Sequence, residues 1–193
     1  MAKATLPLLP FPDDISRHDF GHYISGFTDG EGYFGLGVHG SKKASPKVPC
    51  ATFVITLRGD DLAILRLFHS YFGCGSVSPL RVPKSRSQGY HTFYVHTASS
   101  LAAHIIPHFE AFPLRAKKAR DFSVWREGVL YMLQIQASKR AGCRYRGDPQ
   151  FWTAERIQHF LTIKDRLQAG RQFDPLALPP PPPPPRTLFD GLP

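Results

Sequence analysis

At 193 residues, 42% of them hydrophobic, the chain is long enough for one globular domain with a real core, which excludes a disordered class. Lys and Arg number 24 against 15 Asp and Glu, a formal net charge of +9 with pI near 9.7, and that excess points to a polyanionic partner. No apolar run approaches the ~20 residues needed to cross a bilayer, so a membrane partner is set aside; three scattered cysteines without a CxxC pair read as reduced thiols inside a cell.

Residues 1–17 carry one short apolar patch broken by proline, too little for a secretory or transit signal, and are expected to form a flexible lead-in. From Asp19 to Phe34 the chain reads DFGHYISGFTDGEGYF. Tyr23, Ile24 and Phe27 give a helix an apolar face; helix propensity then collapses in Thr28–Gly32, where two acids stand between glycines, and the helix is expected to stop there. Phe34, Leu36 and Val38 next alternate with Tyr33, Gly35, Gly37 and His39, the period of a strand buried on one face. Gly26 and Gly30, four apart beside Tyr23 and Phe27, form a small-residue face that lets a second helix approach closely, and a second copy of the same helix would bring two acidic tips together. The spacing by itself fits an ordinary amphipathic helix with a glycine cap equally well.

A basic turn, residues 40–49, leads to a second strand over Cys50–Leu57 that pairs back as a hairpin. Asp60 and Asp61 offer an N-cap for a helix over Leu62–Phe72, stopped by Gly73. Strands near Gly75–Leu80 and Tyr90–Thr97 follow, then a helix capped by Ser99 or Ser100 and interrupted at Pro107, and a long helix from Ala116 to about Ile135. Thr153 caps a last helix ending near Gly170, after which residues 171–193 turn to a proline-rich tail of low complexity. The fold class is α+β, in the order α-β-β-α-β-β-α, with one four-stranded antiparallel sheet backed by helices in a single domain over residues 18–170.

Ile24-Ser25-Gly26-Phe27-Thr28-Asp29-Gly30-Glu31-Gly32 resembles the motif that names the LAGLIDADG homing endonucleases, in the variant ending Asp-Gly-Glu-Gly. Ile105 to Lys118, with Pro113-Leu114 before paired lysines, is similar to the same family's later signature. The resemblance implies a site-specific double-strand DNA endonuclease, encoded within an intron or intein-like mobile element, that works as a homodimer on a long pseudo-palindromic site. It implies Glu31 and the Gly30 carbonyl as ligands for Mg²⁺ or Mn²⁺, with Ca²⁺ binding but not supporting cleavage, and Lys117 as the catalytic lysine, its neighbour Lys118 remaining open. Carboxylates suit this work because hydrolysis of a phosphodiester needs a hard cation to make hydroxide and neutralise charge. Asp29 is expected to brace the helix end. Members often carry a polar residue at the end of the second strand; Leu57 stands there, and Arg58 is the nearest substitute.

A sheet face without core partners would take the DNA groove, on this reading. That face comprises Tyr33, Gly35, Gly37, His39 and Ser41, then Thr52 and Val54, then Ser78, then Thr92, Tyr94 and His96. Lys43, Arg58, Arg81, Lys84, Arg86, Lys118 and Arg144 would hold phosphates. Double-stranded DNA and a second copy of the chain are the expected partners. An intron RNA maturase, with intron RNA as partner, and a non-cleaving DNA-binding regulator are the alternatives. The expected location is intracellular, in a bacterial cytoplasm or an organelle. His18 and His22 share a helical spacing but lack a third ligand for a metal.

Overall fold

The computed structural model describes residues 6–39, 48–82, 88–138 and 151–171. The first helix, α1 (Arg17–Glu31), begins where the Ser16 hydroxyl accepts from the Asp19 N–H, and it runs past Thr28 through Gly30 and Glu31 instead of stopping short. The cause lies one residue on. Gly32 caps the helix with its N–H on Thr28 O and is already the first residue of β1 (Gly32–His39). A Cβ at Gly32 would stand 2.4 Å from Thr28 Cγ2, so helix meets strand without a linker only because residue 32 has no side chain.

β1 pairs antiparallel with β2 (Val48–Arg58), from Gly32 opposite Ile55 to His39 opposite Val48. A 3-10 turn, Gly59–Asp61, leads into α2 (Leu62–Phe72), which ends at Gly73 in the left-handed region, φ 63°. Asp61 holds the N-cap position without a side-chain cap bond, while Asp60 turns to the Arg58 guanidinium. β3 is shorter than its sequence suggests, Ser76–Val77, and pairs with β4 (Tyr90–Val95). The sheet order is β1-β2-β4-β3, antiparallel throughout.

Helical structure resumes at α3 (Ala98–Ser100), widens into a π-helical stretch over Leu101–Ile105 and passes straight into α4 (Ile106–Ala111). Pro107 therefore does not interrupt the chain's helical course. It sits in the first turn of α4, where a missing N–H costs least, and the π turn before it absorbs the ring. The long helix α5 (Lys118–Ala137) follows, then α6 (Ala154–Ala169), capped by Thr153 accepting from the Arg156 N–H. No helix among the described residues is long and apolar enough to cross a membrane.

The core lies between one sheet face and the helices. Phe34 is its hub, its ring 5.3 Å from Phe53, 5.4 Å from Phe109 and 5.1 Å from Trp125, all of them buried. Replacing such a ring by Ala would cost about 3–5 kcal/mol. Part of the lead-in joins this core, contrary to the expected flexibility: Phe11 and Ile15 pack on it, and the Arg17 guanidinium lies 4.8 Å from the Phe11 ring and 4.9 Å from that of Tyr71. Leu6, Phe11 and Ile15 find cover there, while Leu8 and Leu9 stay exposed. Cys50 and Cys74 carry free thiols, the latter pushed up to about 11 by burial.

Candidate active site

The two faces of α1 meet different surroundings. On the inner face Phe20, Ile24, Ser25 and Thr28 are buried. The Ser25 hydroxyl donates to Phe112 O at 2.6 Å and lies 3.4 Å from His108 Nε2, whose other ring nitrogen is 3.2 Å from the Tyr71 hydroxyl. Burial, helped by nearby His22, depresses His108 to about 4, so the ring is neutral at pH 7. On the outer face Tyr23, Gly26 and Gly30 are exposed and Phe27 half-buried, and a Cβ on either glycine would meet nothing within 4 Å. Nothing among the described residues requires glycine there.

At the helix tip, Asp29 Oδ2 accepts from the N–H groups of Arg115 at 2.8 Å and Ala116 at 3.2 Å. The acid expected to brace the helix end thus ties α1 to the loop that opens α5. Lys118 completes the junction: its Nζ donates to Asp29 O at 3.1 Å and Gly30 O at 2.9 Å. Glu31 is exposed, and no group among the described residues bonds its carboxylate. Lys117, also exposed, stands at the N-cap of α5. Thr56 follows Ile55, the partner of Gly32, along β2, and its hydroxyl is 3.1 Å from that of Thr92. Arg58, expected as the polar residue at the end of the second strand, is engaged by Asp60.

Beside the tip opens a cleft of about 330 Å³ walled by Tyr33, Lys117, Lys118, Asp121 and Arg171. Arg171 is the residue that sequence reasoning missed, having assigned it to the tail. A single arginine after a helix-ending Gly170 carries no sequence signal that it folds back to a site. Arg171 Nε donates to Asp121 Oδ2 at 2.8 Å, its Nη2 donates to Phe34 O, and its guanidinium carbon lies 4.8 Å from the Tyr33 ring centroid.

The structure sorts the residues expected to face DNA. Tyr33, His39 and His96 are exposed, and Gly37, Thr52, Val54, Thr92 and Tyr94 are half-buried along one sheet face, with Arg81 exposed at the bridge to Tyr90. Gly35 is a correction: it is buried, because the Tyr33 ring lies over it, and a Cβ there would stand 2.7 Å from Tyr33 Cε1 and 2.6 Å from Thr52 Oγ1. Ser78 is a second correction, only 2% exposed, its hydroxyl accepting from the Thr92 N–H at 2.9 Å where the chain leaves β3. Ser41, Lys43, Lys84, Arg86 and Arg144 lie outside the described residues.

Among the described residues, no group of three or more His, Cys, Asp or Glu side chains is placed to hold a metal ion. His18 and His22 are exposed, their rings 4.9 Å apart. What the α1 tip does offer is oxygen, a free carboxylate and a backbone carbonyl on successive residues, the donor types that hard divalent cations take. One copy supplies too few of them for a closed site.

A mixed α+β domain whose first helix delivers an unpaired carboxylate to the edge of a four-stranded antiparallel sheet, beside a lysine-walled cleft, defines a recognisable class. The family profile described as LAGLIDADG endonuclease matches residues 24–129, more than half the chain, and the protein belongs to that family. Solved structures share the fold. The I-SmaMI LAGLIDADG homing endonuclease bound to cleaved DNA superposes with a TM-score of 0.61 at 22% identity, over 79% of this chain and 45% of that one. The I-LtrWI LAGLIDADG homing endonuclease bound to target DNA gives 0.62 at 20% identity, over 88% and 49%. I-SmaMI bound to an uncleaved DNA target in the presence of calcium ions gives 0.59 at 21%, over 84% and 51%. The chain thus spans about half the length of these relatives. No curated protein matches it in sequence.

Proposed function

We propose that the protein is a site-specific, divalent-metal-dependent DNA endonuclease that acts as a homodimer on a long pseudo-palindromic duplex, inside the cell. The observation that carries this reading is the free Glu31 carboxylate at the end of a helix whose outer face carries two glycines, Gly26 and Gly30, with open space above them. Two copies meeting along Tyr23, Gly26, Phe27 and Gly30 would set two such tips together, supplying the ligands that one copy lacks. Glu31 would hold Mg²⁺ or Mn²⁺ together with the Gly30 carbonyl, which accepts from Lys118 Nζ on one lone pair and would offer the metal its other, and the metal would supply an activated water and charge neutralisation at the scissile phosphate. Ca²⁺ would occupy the same ligands and hold the complex uncut.

This chain's own residues do the rest. Asp29 and Lys118 fix the tip against α5, so the metal-binding atoms are held before substrate arrives. With Lys118 committed to two carbonyls, Lys117 is the lysine left free to orient the attacking water or stabilise the leaving oxygen. The polar sheet face, from Tyr33 and Thr52 to Tyr94 and His96, would lie in the major groove, with Arg81 among the groups on phosphates.

The test is to incubate the protein with Mg²⁺ and a plasmid library carrying randomised inserts, then sequence the cut ends. The account expects one family of pseudo-palindromic ends, and Glu31→Gln should cut at least ~100-fold more slowly while still binding in Ca²⁺. Binding without cutting by the wild type in Mg²⁺ and Mn²⁺ would favour a DNA-binding regulator.

A further inference from the structure

The matched family region ends at residue 129, yet the cleft at the α1–β1 junction is walled in part by a residue far beyond it. Arg171 follows the Gly170 cap of α6 and grips two other elements at once, α5 through Asp121 in its first turn and β1 through the Phe34 carbonyl and the Tyr33 ring. This is an unusually well-held arginine for a position just past a helix end, with its side chain 28% exposed and that of Asp121 14%. Nε and one N–H of Nη2 are used in this grip, and among the described residues Nη1 has no partner. A guanidinium is a planar fork, so fixing one edge aims the other.

The remaining edge belongs to a cleft whose other cations are Lys117 and Lys118, of which Lys118 is spent on backbone carbonyls. The geometry points to Arg171 as a phosphate-binding residue of the cleft, held in place by Asp121 and Phe34 O and presenting Nη1 to a DNA phosphate next to the one that is cut. The phosphate contact stands apart from the cleavage reading, on which its place next to the cut and the second arm below rest. Asp121 is the positioning residue: it keeps the fork oriented and does not touch DNA.

Two arms test it. In the first, binding of a labelled random-sequence duplex is followed by fluorescence anisotropy in Ca²⁺ across a series of NaCl concentrations. Arg171→Gln should flatten the slope of log K against log salt by about 1, whereas Arg171→Lys and Asp121→Asn, which keep the cation, should leave it at the wild-type value. In the second, single-turnover cleavage of the duplex selected from the library should fall about tenfold in Asp121→Asn, with binding preserved, because the fork loses its aim. A merely structural role would lower the melting temperature in step with both readouts, and circular dichroism melts of each variant separate the two. A wild-type salt slope in Arg171→Gln overturns the assignment. So does wild-type cleavage by Asp121→Asn. A wild type that cuts nothing in the library while Arg171→Gln still loses one unit of slope refutes the endonuclease reading and leaves the phosphate contact standing.

Discussion

Helix α1 has two sides that the chain treats in opposite ways. The inner side is filled: Gly21 is there because a Cβ would stand 2.7 Å from the Phe112 ring, and Ser25 is there to bond Phe112 O. The outer side is empty, since Gly26 and Gly30 have open space where a side chain would go. A glycine inside a helix costs roughly 0.5–1 kcal/mol relative to alanine, so two of them facing outward lower the stability of the single chain, and no packing among the described residues offsets the loss. The contrast teaches where to look for the compensation: the inner glycine answers to the fold and the outer pair to something outside the chain, which we take to be a second copy.

The sharpest way to break that contrast is to fill both sides. Gly26→Leu should abolish cleavage and dimer formation, as read by analytical ultracentrifugation, while leaving the fold of the single chain intact and more stable by up to ~1 kcal/mol, as read by chemical denaturation at a concentration where the wild type is monomeric. Gly21→Leu should do the reverse at first order, destabilising the fold by about 3 kcal/mol in chemical denaturation through collision with Phe112. If the two variants behaved alike, the division of the helix would be wrong.

Acid probes the inner side through His108, with His69 of α2, also lowered by burial, adding to the same trend. His108 is depressed to about 4 in the folded protein against 6.5 for an ordinary histidine, so the unfolded chain takes up the proton first. Stability is therefore full above pH 6.5 and falls as pH drops through the interval toward 4, by at most about 1.4 kcal/mol per pH unit from this group. Denaturation at pH 7 and pH 5 should show the loss, and His108→Gln should flatten it. A smaller effect is expected at the tip, where Asp29→Ala removes the acceptor of two backbone N–H groups and should cost about 1 kcal/mol. Smallest of all, Thr28→Val replaces a buried hydroxyl that has no partner among the described residues and should be neutral or stabilising by up to ~1 kcal/mol.

Much of this is legible in the sequence. The alternation of Phe34, Leu36 and Val38 fixes which sheet face is core, and Gly73 marks the end of α2, because both signals are local. The Asp29-Gly30-Glu31 tip is legible for the same reason, as a contiguous run. What stays hidden depends on contacts between distant positions. Gly35 reads as an open surface residue until the Tyr33 ring is laid over it, and Ser78 reads as part of a strand that in fact ends at Val77. Pro107 reads as a break because sequence periodicity does not anticipate a π turn that makes room for it. Lys118 and Arg171 are the extreme cases, one bonded 88 residues back in sequence to Gly30 and the other 137 residues back to Phe34.

The measurement closest to the centre of the account is the mass of the complex that the wild-type protein forms with its selected duplex in Ca²⁺, taken by native mass spectrometry. Two copies on one duplex, reduced to one or none by Gly26→Leu, is the predicted result. A single copy that binds and cuts both strands would contradict it.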